Sequence, residues 1–206
     1  IHLPRQCRRG PFTGLATADM VNRALKGDVM QYTATYTSPL GRITMASDGE
    51  RLSGLWFDGQ KYFAATLSAA HEEKDLPIFQ QTKRWLELYF RGTAPEFTPP
   101  LHLTASPFRL AVWDILRQIP YGQVITYGEI ARRIAQTQGL ESMSAQAVGG
   151  AVGHNPISII LPCHRVVGSN GSLTGYAGGV ERKVALLTLE GTDMSRLFVP
   201  GKGTAL

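Results

Sequence analysis

Cysteine is scarce in this 206-residue sequence: Cys7 and Cys163 are the only two, far apart and in different settings. That spacing gives no disulfide framework, and a reducing cytoplasm, where a free thiol survives, is the expected location. Long apolar runs are missing too. None approaches the roughly 20 residues that a membrane-spanning helix requires, so no membrane partner is expected. No basic, apolar and small-residue order of the signal-peptide kind opens the chain. The two cysteines and five histidines show no metal-ligand spacing, and neither a metal nor an organic cofactor is called for. Repeats and low-complexity tracts are absent as well. What remains is an ordinary globular composition, 43% hydrophobic and 18% charged, in a chain long enough for one large domain or a small domain followed by a larger one.

The formal charge of +5 is unevenly spread. Residues 1–30 carry five Lys/Arg against two Asp/Glu, residues 31–100 seven against eight, and residues 101–206 nine against six. A basic later half beside a slightly acidic middle favours a polyanionic partner, although the excess alone does not establish one. Residues 1–29 lack any period and read as an extension or tag on which no function is placed. From Gln31, alternating and β-branched runs at Tyr32–Tyr36, Ile43–Ala46 and Leu52–Phe57, separated by Ser-Pro-Leu-Gly and Asp-Gly-Glu turns, predict an antiparallel meander. Phe79, Leu86, Tyr89 and Phe90 fall near helical spacing in Pro77–Phe90, and Gly92 is a plausible C-terminal stop. These elements predict a small α/β domain over 30–98. The stretch Gly92–Pro100, with three prolines, is the linker candidate.

A mainly helical domain is expected over 101–195, with a tail at 196–206. Ser106-Pro107 suits the start of a helix that places Phe108, Val112, Trp113, Leu116 and Ile119 on one side. Pro120-Tyr121-Gly122 breaks it. Thr126 can cap the next helix, which buries Ile130, Ala131 and Ile134, and a second short helix over Ser144–Val152 completes a helix-turn-helix. The fold class is therefore α/β: an N-terminal antiparallel sheet with a helix, then a mainly helical domain.

The chemistry concentrates in Asn155-Pro-Ile-Ser-Ile-Ile-Leu-Pro-Cys163-His164-Arg165-Val166-Val167-Gly168. A hydrophobic approach delivers one cysteine, between a proline and a histidine, into a glycine-rich loop. A free thiol has a pKa near 8.5, so only about a tenth or less is thiolate at neutral pH, and a base or positive field must raise that fraction. His164 is the obvious base. Adjacent residues of an extended chain face opposite ways, so contact with the sulfur requires a turn or a bridging water; the bridged arrangement is favoured here. Glu190, after a helix over Val184–Leu189, is the candidate carboxylate for the other ring nitrogen. The same residues also fit a buried thiol beside a satisfied imidazole.

Pro162-Cys163-His164-Arg165-Val166 resembles the signature of the methylated-DNA protein-cysteine methyltransferases, or O6-alkylguanine-DNA alkyltransferases. The resemblance runs from Thr33 onward through Ser38-Pro-Leu-Gly41, Phe108-Arg109, Ile119-Pro-Tyr-Gly122, Ala147-Val-Gly-Gly150, Gly175-Tyr-Ala-Gly-Gly179 and Leu186-Leu-Thr-Leu-Glu-Gly191. It implies DNA repair by stoichiometric, irreversible transfer of an alkyl group, typically methyl, from O6 of guanine to Cys163, with O4-alkylthymine a further substrate left open. In catalysis it implies Cys163 as acceptor, His164 as water-linked base, Glu190 as its orienting carboxylate and Asn155 as brace of the loop. For DNA it implies a monomer that enters the minor groove of double-stranded DNA and everts the alkylated base, which cannot react while stacked. Tyr127 then meets the target phosphate, Tyr176 lies against the everted base, and Ala177 and Gly178 belong to its loop. Gln146, Ala147, Gly150 and Arg165 complete the expected DNA and substrate contacts. The small residues of 146–153 let a backbone approach a groove about 6 Å wide, although tight packing on another helix explains them nearly as well.

Two features depart from the family pattern. Gln146 stands where an arginine usually fills the space of the everted guanine, so it brings no charge and less stacking surface. The other is the Gln136–Met143 connection, which is longer than usual. Separately, none of the zinc ligands that some relatives carry in the N-terminal domain is found. Two other classes stay open at this point: a lesion-binding regulator that transfers nothing, and a cysteine hydrolase using Cys163 and His164.

Overall fold

The computed structural model describes residues 30–201; the expectations for residues 1–29 and the end of the tail, like Cys7, lie outside the described residues. Strands β1 (Gln31–Ser38), β2 (Gly41–Ser47) and β3 (Leu52–Phe57) form the antiparallel meander, with Tyr36 opposite Ile43 and Ile43 opposite Phe57. Alternation sends Ile43, Met45, Leu55 and Phe57 into the core. The Ser38 hydroxyl accepts from Leu40 N–H and donates to the Gly41 carbonyl, and Gly41 takes φ +113°, which closes the first turn. The sheet has a fourth strand that the sequence pattern did not reveal. β4 (His71–Glu73) is an exposed, wholly polar edge strand that lies parallel to β1, giving the order β3-β2-β1-β4.

Helix α1 (Pro77–Phe90) lays Ile78, Phe79, Thr82, Trp85, Leu86 and Tyr89 on the sheet along one stripe of three- and four-residue steps. The proline-rich stretch that follows is a connection, but a pinned one. Leu52 N–H donates to the Pro100 carbonyl and His102 N–H to the Leu52 carbonyl, both at 2.8 Å. The same β3 edge also holds the segment leading to Cys163: Leu55 N–H donates to Pro156 O at 2.9 Å and Ser158 N–H to Leu55 O at 2.8 Å.

Helix α2 (Pro107–Arg117) starts at Ser106, whose side chain accepts from Arg109 N–H. The two-residue β5 (Ile125–Thr126) runs directly into α3 (Tyr127–Gln138), where Thr126 and Glu129 form a reciprocal capping box. α3 ends on Gly139 in the left-handed region, so it absorbs Gln136–Gln138 and shortens the apparently long connection. α4 (Ala145–Gly153) is capped by Ser144, and Trp113 of α2 donates its indole N–H to the Ala151 carbonyl at 2.9 Å. Cys163–Arg165 form one 3₁₀ turn, which leads to β6 (Val166–Val167) paired in parallel with β5. The last helix, α5 (Val180–Leu189), begins a turn earlier than the sequence suggests, directly after Gly179. One large buried cluster runs from Ile43 and Leu55 through Tyr89 and Trp113 to Val152, Leu161 and Cys163, and a small second one joins Val167, Leu173 and Leu187.

Candidate active site

The approach to Cys163 is built by short local bonds. Asn155, just beyond α4, donates through Nδ2 to the Leu161 carbonyl at 2.7 Å and to Cys163 Sγ at 3.0 Å, and its Oδ1 accepts Ile157 N–H at 2.9 Å. One buried amide thus shapes the loop and touches the sulfur. Within this loop Ile159 holds φ +69°, a region costly for a β-branched residue, on the order of 1–3 kcal/mol. The surrounding pairing to β3 and Asn155 holds it there. Cys163 is 4% exposed. Burial pushes its thiol pKa up, while the Asn155 hydrogen bond and the charge of Lys183 pull it back down.

His164 is fully buried, and its Nε2 lies 2.7 Å from Glu190 Oε1. That contact makes Nε2 the protonated nitrogen and leaves Nδ1 as a lone-pair acceptor; Nδ1 is buried with no hydrogen-bond partner. Burial lowers the His164 pKa, against the opposing pull of Glu190, so the ring is neutral at physiological pH. Glu190 sits at the end of α5 and is saturated with donors. Oε1 accepts from Tyr89 Oη at 2.6 Å and Arg165 Nη2 at 2.9 Å besides His164; Oε2 accepts from Arg165 Nε at 2.8 Å and Gly122 N–H at 3.1 Å. Desolvation opposes ionisation, but the His164 and Arg165 hydrogen bonds and charges outweigh it and hold this carboxyl well below the usual range.

A cavity of about 490 Å³ is lined by Tyr127, Gly128, Ala145, Gln146, Gly149, Ser169, Thr174 and Gly175, without Cys163, His164 or Tyr176 in its wall. It opens between the start of α3, the start of α4 and the loop that precedes α5. Tyr127 lines it, and burial first, then the charge of Cys163, raises the Tyr127 pKa. Its hydroxyl is 3.3 Å from the Thr174 and Gly175 carbonyls, so that wall is closed by the tyrosine's own hydrogen bonds. Gln146, Ala147 and Gly150 lie exposed on one side of α4. The Tyr176 and His164 rings meet edge to face at a centroid distance of 6.4 Å, and the Tyr176 hydroxyl is buried without a partner. The Ala177 carbonyl accepts Lys61 N–H at 2.9 Å. A Cβ on Gly178 would stand 2.6 Å from the Tyr176 ring, so only glycine lets that ring pack where it does.

The profile described as the DNA binding domain of 6-O-methylguanine DNA methyltransferase matches residues 107–192, and the one described as its ribonuclease-like domain matches residues 31–103. The chain belongs to this methyltransferase family. It is 43% identical over 160 residues to the methylated-DNA protein-cysteine methyltransferase of Haemophilus influenzae, covering 77% of this chain and 86% of that one. The protein of that name from Methanosarcina acetivorans is 42% identical over 162 residues, covering 78% and 99%. The crystal structure of the Mycobacterium tuberculosis O6-methylguanine methyltransferase superposes with a TM-score of 0.67 at 41% identity, covering 84% of this chain and 97% of that one. A structure of the M. tuberculosis protein in complex with DNA gives a TM-score of 0.65 at 42% identity, covering 82% and 95%.

Within this methyltransferase fold the structure brings Cys163, His164, Glu190 and Asn155 together, and puts Tyr127 and Gln146 on one cavity. Tyr176, Ala177 and Gly178 do not line that cavity, and Arg165, also expected to face DNA, is turned away from the surface. Its guanidinium points inward, forks onto Glu190 and donates to the Ile119 carbonyl at 2.6 Å. The reason is electrostatic: a buried carboxylate needs a buried cation, and the planar fork fits both oxygens. Tyr89 and Lys183 were not singled out from sequence. Tyr89 reads as one more aromatic of the α1 stripe, and nothing in that pattern tells that its hydroxyl reaches Glu190. Lys183 did leave a signal, since it shares the buried stripe of α5 with Leu186 and Leu187, where an ordinary surface lysine has no place.

Proposed function

We propose that this protein repairs double-stranded DNA by taking the alkyl group, above all methyl, from O6 of guanine onto Cys163, once per molecule. The observation that carries the reading is the sulfur itself: a buried thiol fixed by Asn155 beside a neutral histidine whose free Nδ1 is the available base. In this reading the exposed side of α4, with Gln146, Ala147 and Gly150, meets the minor groove, and Gln146 fills the space of the everted base. The base enters beside Tyr127 and lies against Tyr176, while Ala177 and Gly178 supply a close backbone. Because Cys163 is buried, entry breaks the Tyr127 bonds to Thr174 and Gly175, which releases that hydroxyl toward the nucleotide or its phosphate.

The thiol proton passes through a water to His164 Nδ1, and Glu190 and Arg165 hold the imidazole in place. The sulfur attacks the alkyl carbon in line; the S–C bond forms as the C–O6 bond breaks, and the electron pair stays on guanine. The Tyr176 hydroxyl, otherwise unpartnered, donates to the base as that charge develops, and a proton returns to guanine. The product is a thioether that no residue here can reverse. A division into 30–98 and 101–195, action as a monomer and a cytoplasmic setting that keeps the thiol reduced belong to the same reading; no helix among the described residues is long and apolar enough to cross a membrane.

Incubation with duplex bearing O6-methylguanine, followed by intact-protein and peptide mass analysis, tests this. A stable gain of one methylene mass on the Cys163 peptide, with unmodified guanine in the DNA, is expected. Tight binding without mass gain instead identifies a lesion sensor, and ester turnover a hydrolase; either result refutes the proposal.

A further inference from the structure

Arg182, in the first turn of α5, pairs with no carboxylate among the described residues. Its guanidinium goes to backbone instead. Nε donates to the Leu40 carbonyl at 3.1 Å, Nη1 to the Gly178 carbonyl at 3.1 Å and Nη2 to the Asp58 carbonyl at 3.4 Å, and Cζ stands 4.8 Å from the centre of the Phe57 ring. Leu40 belongs to the β1–β2 turn and Asp58 follows β3. One side chain thus ties two turns of the N-terminal half to the 174–179 loop that carries Tyr176, a task that needs several donors in a fixed fork. Because the Tyr176 ring packs directly on Gly178, holding the Gly178 carbonyl also holds the ring.

A second tie lies beside the first. Lys61 N–H donates to the Ala177 carbonyl at 2.9 Å. Its neighbour Gln60 is buried, and Gln60 Oε1 accepts from Phe57 N–H at 2.9 Å and from Ser158 Oγ, on the approach to Cys163, at 3.1 Å. Tyr62 comes next with φ +60° and stacks on His154 at a centroid distance of 4.0 Å, and Ala64 holds φ +52°. With Ile159 these are the three non-glycine residues of positive φ among the described residues, and they lie on the two segments that Gln60 and Ser158 join. Such conformations cost on the order of 1–3 kcal/mol each and persist only where the surroundings fix them. At the near end of the loop, Lys183 Nζ holds the Thr174 carbonyl at 2.7 Å. Gly175 and Tyr176 are the stretch between the anchors.

We propose that Arg182, with the Gln60–Lys61 turn, makes the N-terminal half a specificity determinant: it pins the far end of the 174–179 loop, so that the loop yields over Gly175 and Tyr176 alone and favours small O6-alkyl groups over bulky ones. Two residues between fixed neighbours turn in place. Release of the far anchors lets the mobile span run from Gly175 to Gly179, which carries the Tyr176 ring outward and widens the space beside the alkyl group. Arg182 is a positioning residue in this scheme, since its donors are spent on the three carbonyls and act on the base through Gly178 and Tyr176.

The inference rests on the alkyl-transfer reading, and its test separates the two. Single-turnover transfer to Cys163 is followed on the cysteine peptide by mass spectrometry, from otherwise identical duplexes carrying O6-methylguanine or O6-butylguanine. In Arg182→Met the butyl-to-methyl rate ratio rises about tenfold, the scale on which pocket size discriminates between alkyl groups. Arg182→Lys keeps the charge and loses the fork, and shifts the ratio in the same direction. A merely structural arginine would slow both substrates by one factor, so an unmoved ratio in folded Arg182→Met overturns the proposal. A parental ratio in Arg182→Lys overturns it as well, because the three carbonyls would then not need the fork; that variant decides alone should Arg182→Met fail to fold. A parent that transfers neither group sinks the repair reading and the specificity with it, whereas methyl transfer with an unmoved ratio sinks the specificity alone.

Discussion

Glu190 gathers donors from four residues on three separate segments, Tyr89, Gly122, and the adjacent His164 and Arg165, and its replacement is the sharpest single-residue test of how the site is held. Glu190→Gln leaves the buried Arg165 guanidinium without its anion, so a loss of about 3–5 kcal/mol in urea unfolding is expected. The pH dependence follows from the same group. A carboxylate whose folded pKa is depressed contributes stability above its unfolded pKa, about 4.3, and that stability drains away as pH falls toward the folded value. His164, held neutral by burial, adds a loss in the same direction below its unfolded pKa of about 6.5. Urea midpoints of the parent should therefore fall from pH 7 to pH 3, and the part below about pH 5 should be missing in Glu190→Gln; parallel curves would mean that the carboxylate carries no such charge. Gly178→Ala acts through shape alone. The new methyl lands on the Tyr176 ring, costs about 1–3 kcal/mol by overpacking, and, if Tyr176 lies against the base as proposed, is expected to slow reaction with free O6-alkylguanine as much as with duplex.

At the level of elements, α4 has an exposed side, which the proposed function assigns to DNA, and a buried side that packs in the core. Val148, Ala151 and Val152 are buried, whereas Gln146, Ala147 and Gly150 are exposed. A change on the exposed side should alter base eversion and leave chemistry alone. Gln146→Arg is expected to speed repair in duplex several-fold while free-base reaction stays constant; equal acceleration of both would remove Gln146 from the eversion step. The elements themselves were largely legible. Alternation marked β1 to β3, Ser106, Thr126 and Ser144 marked helix starts, and the Pro162-Cys163-His164 run marked the site. What stayed hidden was held by contacts distant in sequence. β4 is three exposed polar residues recruited by backbone pairing with β1, a bond type that leaves no side-chain pattern. Arg165 reads as a basic residue beside a nucleophile, and only the fold, by bringing in Glu190 from the end of α5, turns it inward. The first turn of α5 hid behind Gly179, which has no capping side chain.

The molecule as a whole keeps its nucleophile in a core shared by both halves. β3 binds the linker and the Pro156–Ser158 approach along one edge, and Tyr89 of α1 reaches Glu190, so neither half can loosen without disturbing the other. A single cooperative unfolding transition is expected, with coincident curves from far-ultraviolet circular dichroism and from the fluorescence of Trp56, Trp85 and Trp113; two separated transitions would contradict the shared core. In the proposed reading that architecture sets the demand on the substrate: a sulfur this buried is reached by an everted nucleotide that displaces the Tyr127 contact, not by a base left in the stack. The most direct test of the account is the mass of the Cys163 peptide after exposure to duplex carrying O6-methylguanine. One added methylene per protein molecule, with no second turnover and none in Cys163→Ala, is the predicted result; a Cys163 peptide of unchanged mass from protein that has bound the lesion would contradict it.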